Sequence, residues 1–400
     1  MNICYVTMQF PVPSETFAAR EIRELNKMGA SVWVCAIRPP HRDAKQLTRD
    51  RGIDDLSVSH GGISSILRGI FWGLKNPIKA LDFYSWVFRS NSFKPRDLLK
   101  SLVLSLSAFA IFEAIRERKP DVVHLYWGHY PSLVGYLVGE HLPEVCLTVF
   151  LGAYDLARRY PGTVHAVEHS RRVFTHAKAN IDDIQSWLNV DDSKLRVIYR
   201  GIETAKTDKV RESTDRDPVR IVTAGRLIPE KRMDLVIRIV ALLRNEFNEV
   251  SLIIMGEGPD ERRLVQLCAD LVISDSVHLI GHVAEDEVFR QMAKSSVFIL
   301  MSNKVGERLP NVVKEAMACG CICIASRTPG IVELIDDGVN GFIVDPGDVE
   351  SACDTIKKCL KREDNFGLIS NQAVIKIRRQ FEVQKQMLAY YREWKSIISE

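Results

Sequence analysis

The apolar run Cys321-Ile322-Cys323-Ile324-Ala325 is the feature that most narrows what this chain can fold into. A strand with one wet face alternates apolar and polar residues. This run does not alternate, so it reads as a strand covered on both faces, the condition of a parallel sheet flanked by helices. The residues before it complete a unit. Pro310 suits the first helical position, where its missing N–H costs nothing, and Gly320 stands where a left-handed C-terminal cap is wanted. Val305 to Ser326 therefore reads as loop, helix and buried strand, with Glu307 in the loop and Glu315 inside the helix.

The same rhythm runs through most of the 400 residues. Residues 3–7 read as a strand, Ser14 as the N-cap of a helix with Glu15 in its first turn and Gly29 at its end, and residues 31–37 as the next strand. This is a βαβ unit, and ligands of such sheets gather beyond the carboxyl ends of the strands, so the loop 9–14 is a candidate wall of a site. Further strands are expected at 122–126, 145–150, 172–175 and 195–199. A second series is expected at 220–224, 251–255, 277–280, 296–301, 321–325 and 341–344. The expected division is an N-terminal domain 1–202 with a helical insertion at about 40–116, a polar, charged linker 203–217, a C-terminal domain 218–380, and a helix 381–400. That last helix has Met387, Tyr390, Tyr391 and Trp394 as its apolar stripe.

Nine cysteines, an odd number behind an N-terminus without a basic leader, point to a reducing, cytoplasmic compartment and free thiols. Cys319, Cys321 and Cys323 alternate along a buried strand and its lead-in, a spacing wrong for zinc and ordinary for small core residues. A net charge of +3 without a Lys/Arg block argues against nucleic acid. Residues 38–100 hold 12 Lys/Arg against 6 Asp/Glu, which accounts for the basic excess of the first half. Among them Trp72, Phe83, Tyr84, Trp86 and Phe88 are interleaved with Lys75, Lys79, Arg89, Lys94 and Arg96. Two readings stay open here: a helical subdomain whose aromatics are core, or a basic, aromatic face that rests peripherally on an anionic membrane or holds a lipid-linked acceptor. The longest apolar stretch, 101–115, is interrupted by hydroxyl and charged residues and reads as too short to span a bilayer.

The chemistry concentrates in the second series. Helix N-termini attract anions, whereas carboxylates such as Glu307 and Glu315 repel phosphate and suit neutral hydroxyls, so a ligand with both groups, such as a sugar nucleotide, fits them. From these two glutamates alone, a solvated loop carboxylate and a helix-face ion pair would be the favoured reading; it is the context elsewhere in the chain that weighs against it. Gly225-Arg226-Leu227-Ile228-Pro229-Glu230-Lys231 follows one strand end directly, with Arg226 and Lys231 both placed to reach a diphosphate. Gly256-Glu257-Gly258-Pro259 follows another, where absent side chains let backbone approach phosphate; two glycines without a third are a weak sign of NAD. In the first series His124 and His129 flank Tyr126 and Trp127 at a strand end.

Taken together these residues resemble family 4 of the retaining glycosyltransferases, which have the two-domain α/β fold called GT-B: two Rossmann-like parallel-sheet domains facing a cleft, with a C-terminal helix crossing back. The resemblance is carried by Gly225-Arg226-Leu227 with Lys231, by Gly256-Glu257-Gly258, by His278 to Val283 with His282 among them, and by the Glu-x7-Glu pair Glu307 and Glu315 around Leu309-Pro310-Asn311. It continues through Pro329-Gly330-Ile331-Val332-Glu333 and Asn340-Gly341-Phe342. Phe10-Pro11 with Ser14-Glu15-Thr16-Phe17 looks like a bacterial polysaccharide-synthesis branch.

The resemblance implies that Arg226 and Lys231 hold the diphosphate of a UDP- or GDP-sugar, that Glu315 accepts the ribose hydroxyls, and that Glu307 accepts the sugar hydroxyls. It further implies that Gly256, Gly258, His282, Leu309, Pro310 and Asn311 complete the donor site. No metal or cofactor is expected, because Arg and Lys do what a metal does elsewhere. Ser14, Glu15, His129 and Asp155 are the expected acceptor side. Three departures stand against the pattern. Paired glycines near the first strand are replaced by Val12-Pro13-Ser14, Leu151 stands where many members have a histidine, and Arg308 occupies the place of a glycine. A sugar-nucleotide epimerase of the same fold, or a membrane-bound scaffold that lost the chemistry, are the rival readings.

Overall fold

The computed structural model describes residues 1–13, 15–91, 94–303, 306–361 and 366–399; Ser14 and Val305 lie outside the described residues. The chain divides into two compact units, one of residues 1–199 with 386–400 and the other of residues 200–385.

In the first unit the strands are β1 (Asn2–Thr7), β2 (Ser31–Ala36), β3 (Ser57–His60), β4 (Val122–Tyr126), β5 (Cys146–Leu151), β6 (Arg172–Thr175) and β7 (Leu195–Val197). They form one parallel sheet in the order β3-β2-β1-β4-β5-β6-β7. In the second unit β8 (Asp217–Ala224), β9 (Ser251–Met255), β10 (Val277–Leu279), β11 (Ser295–Leu300), β12 (Ile322–Ser326) and β13 (Phe342–Val344) form a parallel sheet in the order β10-β9-β8-β11-β12-β13. Both faces of the central strands are covered, which is why β4, β5 and β12 are buried at every residue and why their sequences do not alternate. In each unit the strand order reverses once, between β1 and β4 and between β8 and β11.

Helix Asn311–Ala318 leads into β12 through a left-handed Gly320 (φ 79°). Gly320 N–H donates to Met317 O at 3.0 Å and Cys321 N–H to Ala316 O at 2.9 Å, the paired closure of a Schellman cap. Pro310 stands one residue before the helix, in extended geometry, instead of at its first position.

The charged segment 203–217 is not a linker. Thr204–Glu212 is a helix of the second unit, and β8 already begins at Asp217. Thr207 is fully buried, Lys206 pairs with Glu203 (3.5 Å) and Glu285 (3.7 Å), and Arg216 donates to the carbonyls of Cys319 and Gly320. A helix anchored by a few polar contacts shows no apolar period.

The insertion holds a short helix (Ala44–Asp50), the edge strand β3, and three helices, Ile63–Lys75, Pro77–Asn91 and Pro95–Arg118, that pack on one another. Of the five aromatics weighed there, three are core, Tyr84 is half-buried and Phe88 is 51% exposed. Trp72, Phe83 and Trp86 are core residues at 4%, 0% and 8% exposure, with Trp72 stacked on Phe109 at 4.7 Å and Trp86 on Tyr136 at 4.2 Å. They do not form a membrane-facing aromatic belt. Helix Pro95–Arg118 is 24 residues long, beyond the apolar stretch read from sequence, and by length and composition alone it is sufficient to cross a membrane. Half of its apolar window is buried in the first unit, as in a core helix.

The C-terminal helix Val383–Ser399 belongs from Gln386 onward to the first unit. Trp394, fully buried, lies 5.4 Å from the His124 ring and 5.1 Å from Tyr390, and Gln386 accepts a 3.0 Å hydrogen bond from the Tyr199 N–H.

Candidate functional site

In an open parallel sheet the crevice for a ligand opens where the strand order reverses, beyond the carboxyl ends of the strands. In the second unit that place lies between β8 and β11. The loop after β8 carries Arg226 and Lys231; the loop after β11 carries Ser302 and Glu307. They meet there: Lys231 Nζ lies 2.7 Å from each carboxylate oxygen of Glu307, with the side chains 12% and 10% exposed. Ser302 Oγ donates to Glu307 Oε2 at 2.5 Å, and Ser302 O in turn accepts from Ser326 Oγ at 2.5 Å. Two residues expected to serve different parts of a ligand are thus bonded to each other. Arg226 is exposed and makes no ion pair among the described residues.

The glycines of the loop after β9 have a packing role that the sequence did not show. A Cβ on Gly256 would stand 1.9 Å from Gly225 O, and one on Gly258 would stand 2.3 Å from Leu227 O. The Gly256 N–H donates to Gly281 O at 2.8 Å, and Leu227 N–H donates to Glu257 O at 2.9 Å. These glycines let neighbouring loops touch, and the Gly256 N–H is not available to a phosphate. His282 follows Gly281 and is exposed.

Leu309 and Glu315 are buried, at 5% and 9% exposure. Asn311 Oδ1 accepts from Lys314 Nζ at 3.0 Å, and the same ammonium donates to Arg200 O at 3.0 Å; Lys314 is fully buried. Sequence reasoning missed both Lys314 and Ser302. Ser302 had a signal, its place at the carboxyl end of a central strand. Lys314 had none, since a helical lysine ordinarily faces water. Arg308 is half-buried, and its carbonyl would sit 2.6 Å from a Cβ at Gly330.

The first unit has the equivalent place between β1 and β4. Trp127, directly after β4, has φ 110°, a conformation side chains rarely adopt, and its Nε1 donates to Glu15 Oε1 at 3.2 Å. Such an outlier at a strand end is where functional strain collects. His129 Nδ1 lies 3.0 Å from Asp155 Oδ1, and the N–H groups of Gly128 and Gly152 donate to the two oxygens of the same carboxylate at 3.0 Å. At 1% exposure with these partners, Asp155 anchors loops and does not offer an open surface for an acceptor. Because a carboxylate only accepts, His129 Nδ1 carries the hydrogen, and Nε2 is left as the other face of the ring. Leu151 is fully buried; a Cβ at Gly128 would stand 2.3 Å from its Cδ2, so it fills core space at the end of β5.

All nine cysteines are free and buried, and burial pushes the Cys321 thiol up to about 12, as befits core residues. Among the described residues one trio of metal-capable side chains has its ligand atoms within 4.8 Å, namely Glu140, His165 and His169; the Glu140 carboxylate joins the two imidazoles at 2.9 and 3.4 Å.

Two parallel Rossmann-like sheets, each reversing once, with a C-terminal helix returned to the first, define the GT-B class. The solved structure of Anabaena HepE in complex with UDP superimposes on 99% of this chain and 100% of its own at TM-score 0.72 and 17% identity, and that of TarM on 98% and 99% at TM-score 0.71 and 10% identity. The group 1 glycosyl transferase family matches residues 205–380. The N-acetyl-alpha-D-glucosaminyl L-malate synthase of Bacillus anthracis is 30% identical over 70% of this chain and 75% of its own. The amylovoran biosynthesis glycosyltransferase AmsK of Erwinia amylovora is 24% identical over 98% of this chain and 97% of its own. The chain belongs to the group 1 glycosyl transferases.

Proposed function

We propose that this glycosyltransferase moves a hexosyl group, with retention of configuration, from a UDP- or GDP-sugar to a saccharide or lipid-linked saccharide in bacterial surface-polysaccharide synthesis. It works in the cytoplasm against the inner face of the plasma membrane. The observation that carries the reading is the Lys231–Glu307 pair at the reversal point of the second sheet, with exposed Arg226 on the same loop. The amylovoran biosynthesis name of AmsK and the UDP and UDP-glucose of the HepE structures are in keeping with it.

As the sugar–phosphate bond breaks, charge grows on the leaving diphosphate, and two fixed cations offset it without a metal ion. A diphosphate that engages Lys231 draws it from Glu307, and the released carboxylate then accepts hydrogen bonds from the sugar hydroxyls. Glu315 accepts from the ribose, and Leu309, Pro310, Asn311 and exposed His282 border the donor. In the first unit His129, held by Asp155, presents Nε2 to the acceptor hydroxyl, beside Glu15.

The test is to incubate the protein with labelled UDP- and GDP-sugars and with saccharide or lipid-linked acceptors, with and without EDTA. Transfer with the donor's anomeric configuration preserved is expected in both. Conversion of donor without acceptor indicates an epimerase, binding without any turnover indicates a scaffold, and loss of turnover in EDTA overturns the metal-independent part.

A further inference from the structure

The three helices of the insertion turn an apolar surface outward. On helix Ile63–Lys75, Ile63, Leu67, Phe71 and Leu74 are exposed by 81%, 61%, 58% and 75%, at a spacing of four, four and three residues that puts them on one stripe. On helix Pro77–Asn91, Ile78 and Leu81 are exposed by 82% and 70%; on helix Pro95–Arg118, Leu99 and Val103 follow at one-turn spacing. An apolar surface of this extent marks a docking site. The side of these helices that packs inward already has its own core, built on Trp72, Phe83 and Trp86, so the outward stripe is not a displaced core.

Charge identifies the occupant. Arg68, Lys75, Lys79, Arg96 and Lys100 are exposed around the stripe, and Lys75 Nζ sits 4.3 Å over the Phe71 ring. Residues 63–100 hold only two carboxylates, and both are engaged: Asp82 accepts from Tyr136 OH at 2.6 Å, and Asp97 from Tyr130 OH at 3.1 Å and from Arg158. A second copy of the chain would set these cations against each other. A bilayer with anionic headgroups accepts the apolar side chains and pairs with the cations around them.

We propose that the outward stripe of helices Ile63–Lys75 and Pro77–Asn91, extended by Leu99 and Val103, inserts into the headgroup boundary of an anionic membrane. Attachment is then set by aliphatic insertion as well as by charge, and its salt response is partial. The inference rests on the transferase reading only for which leaflet is met, and its test uses no donor or acceptor.

The full chain is floated with vesicles of phosphatidylcholine alone or with phosphatidylglycerol, at low and high salt. Wild type is expected to float with the anionic vesicles at low salt and to retain a substantial fraction at high salt. L67E with F71E should lower flotation at least tenfold at both salts. K75E with K79E should remove the anionic preference and leave the salt-resistant fraction. Each variant is checked for a wild-type melting temperature, and L67S with F71S serves as a milder replacement should the glutamates lower it. Wild type that ignores both vesicles, that is fully released by salt, or that instead sediments as a dimer through this face overturns the proposal.

Discussion

Lysine and glutamate at positions 231 and 307 show how much a single contact changes a functional reading. Each occupies the place expected of it, but the pairing, across 76 residues of chain, cannot be read from either loop. Both are nearly withdrawn from solvent, so removing one leaves the other's charge stranded. K231M or E307Q alone should cost about 2–3 kcal/mol of stability, at or below the low end for broken buried pairs, and the double variant should recover much of it. Denaturant melts of the four proteins measure this, and additive losses would contradict it. E307Q should also slow transfer while binding bare nucleoside diphosphate more tightly, since Lys231 is no longer held.

His124 makes a second prediction at the same scale. It is fully buried among Tyr5, Tyr390 and Trp394, with Thr148 Oγ1 at 2.9 Å as its hydrogen-bond partner among the described residues, and burial lowers its pKa to about 3. The unfolded chain takes up this proton near pH 6.5 and the folded one does not, so stability present above 6.5 is lost as pH falls toward 3. Between pH 7 and 5 the loss from this residue is about 2 kcal/mol. In urea melts at the two pH values, the loss of stability from pH 7 to pH 5 should be smaller in H124L than in wild type by about that amount.

At the scale of elements, the sequence was most legible where burial left a local mark. The two-sided strands show as unbroken apolar runs, and the end of helix Asn311–Ala318 is announced by Gly320. Elements held by contacts distant in sequence left none. The helix Thr204–Glu212 is fixed by Thr207 and a few ion pairs, and β3, Ser-Val-Ser-His, is a polar edge strand within what read as a wholly helical insertion. At the glycine loop the sequence showed the place but not the loop-to-loop packing, because that contact is a tertiary fact. G256A should therefore force the loops after β8 and β9 apart. At φ 137° and 1.9 Å from a carbonyl oxygen, the added methyl should cost more than about 1 kcal/mol and weaken nucleotide binding together with stability, as thermal shift with UDP would show.

Considered as a whole molecule, the chain is divided unequally in connectivity. The second unit is one continuous segment, 200–385, while the first is assembled from 1–199 and 386–400. Trp394 and Tyr390 from the late segment pack on His124 and Phe174 from the early one. Residues 1–199 expressed alone should be poorly soluble, and supplying 386–400 as a peptide or by circular permutation should improve the yield of folded protein.

On the ribosome, this connectivity fixes an order. The sheet of the first unit emerges early but must wait, with an unfilled slot over β4 and β6, through the synthesis of some 190 further residues, long enough for the second unit to finish folding by itself. A chain interrupted between Lys385 and Tyr390 has its second unit complete and the aromatic slot of its first unit open, the kind of surface that chaperones and proteases recognise.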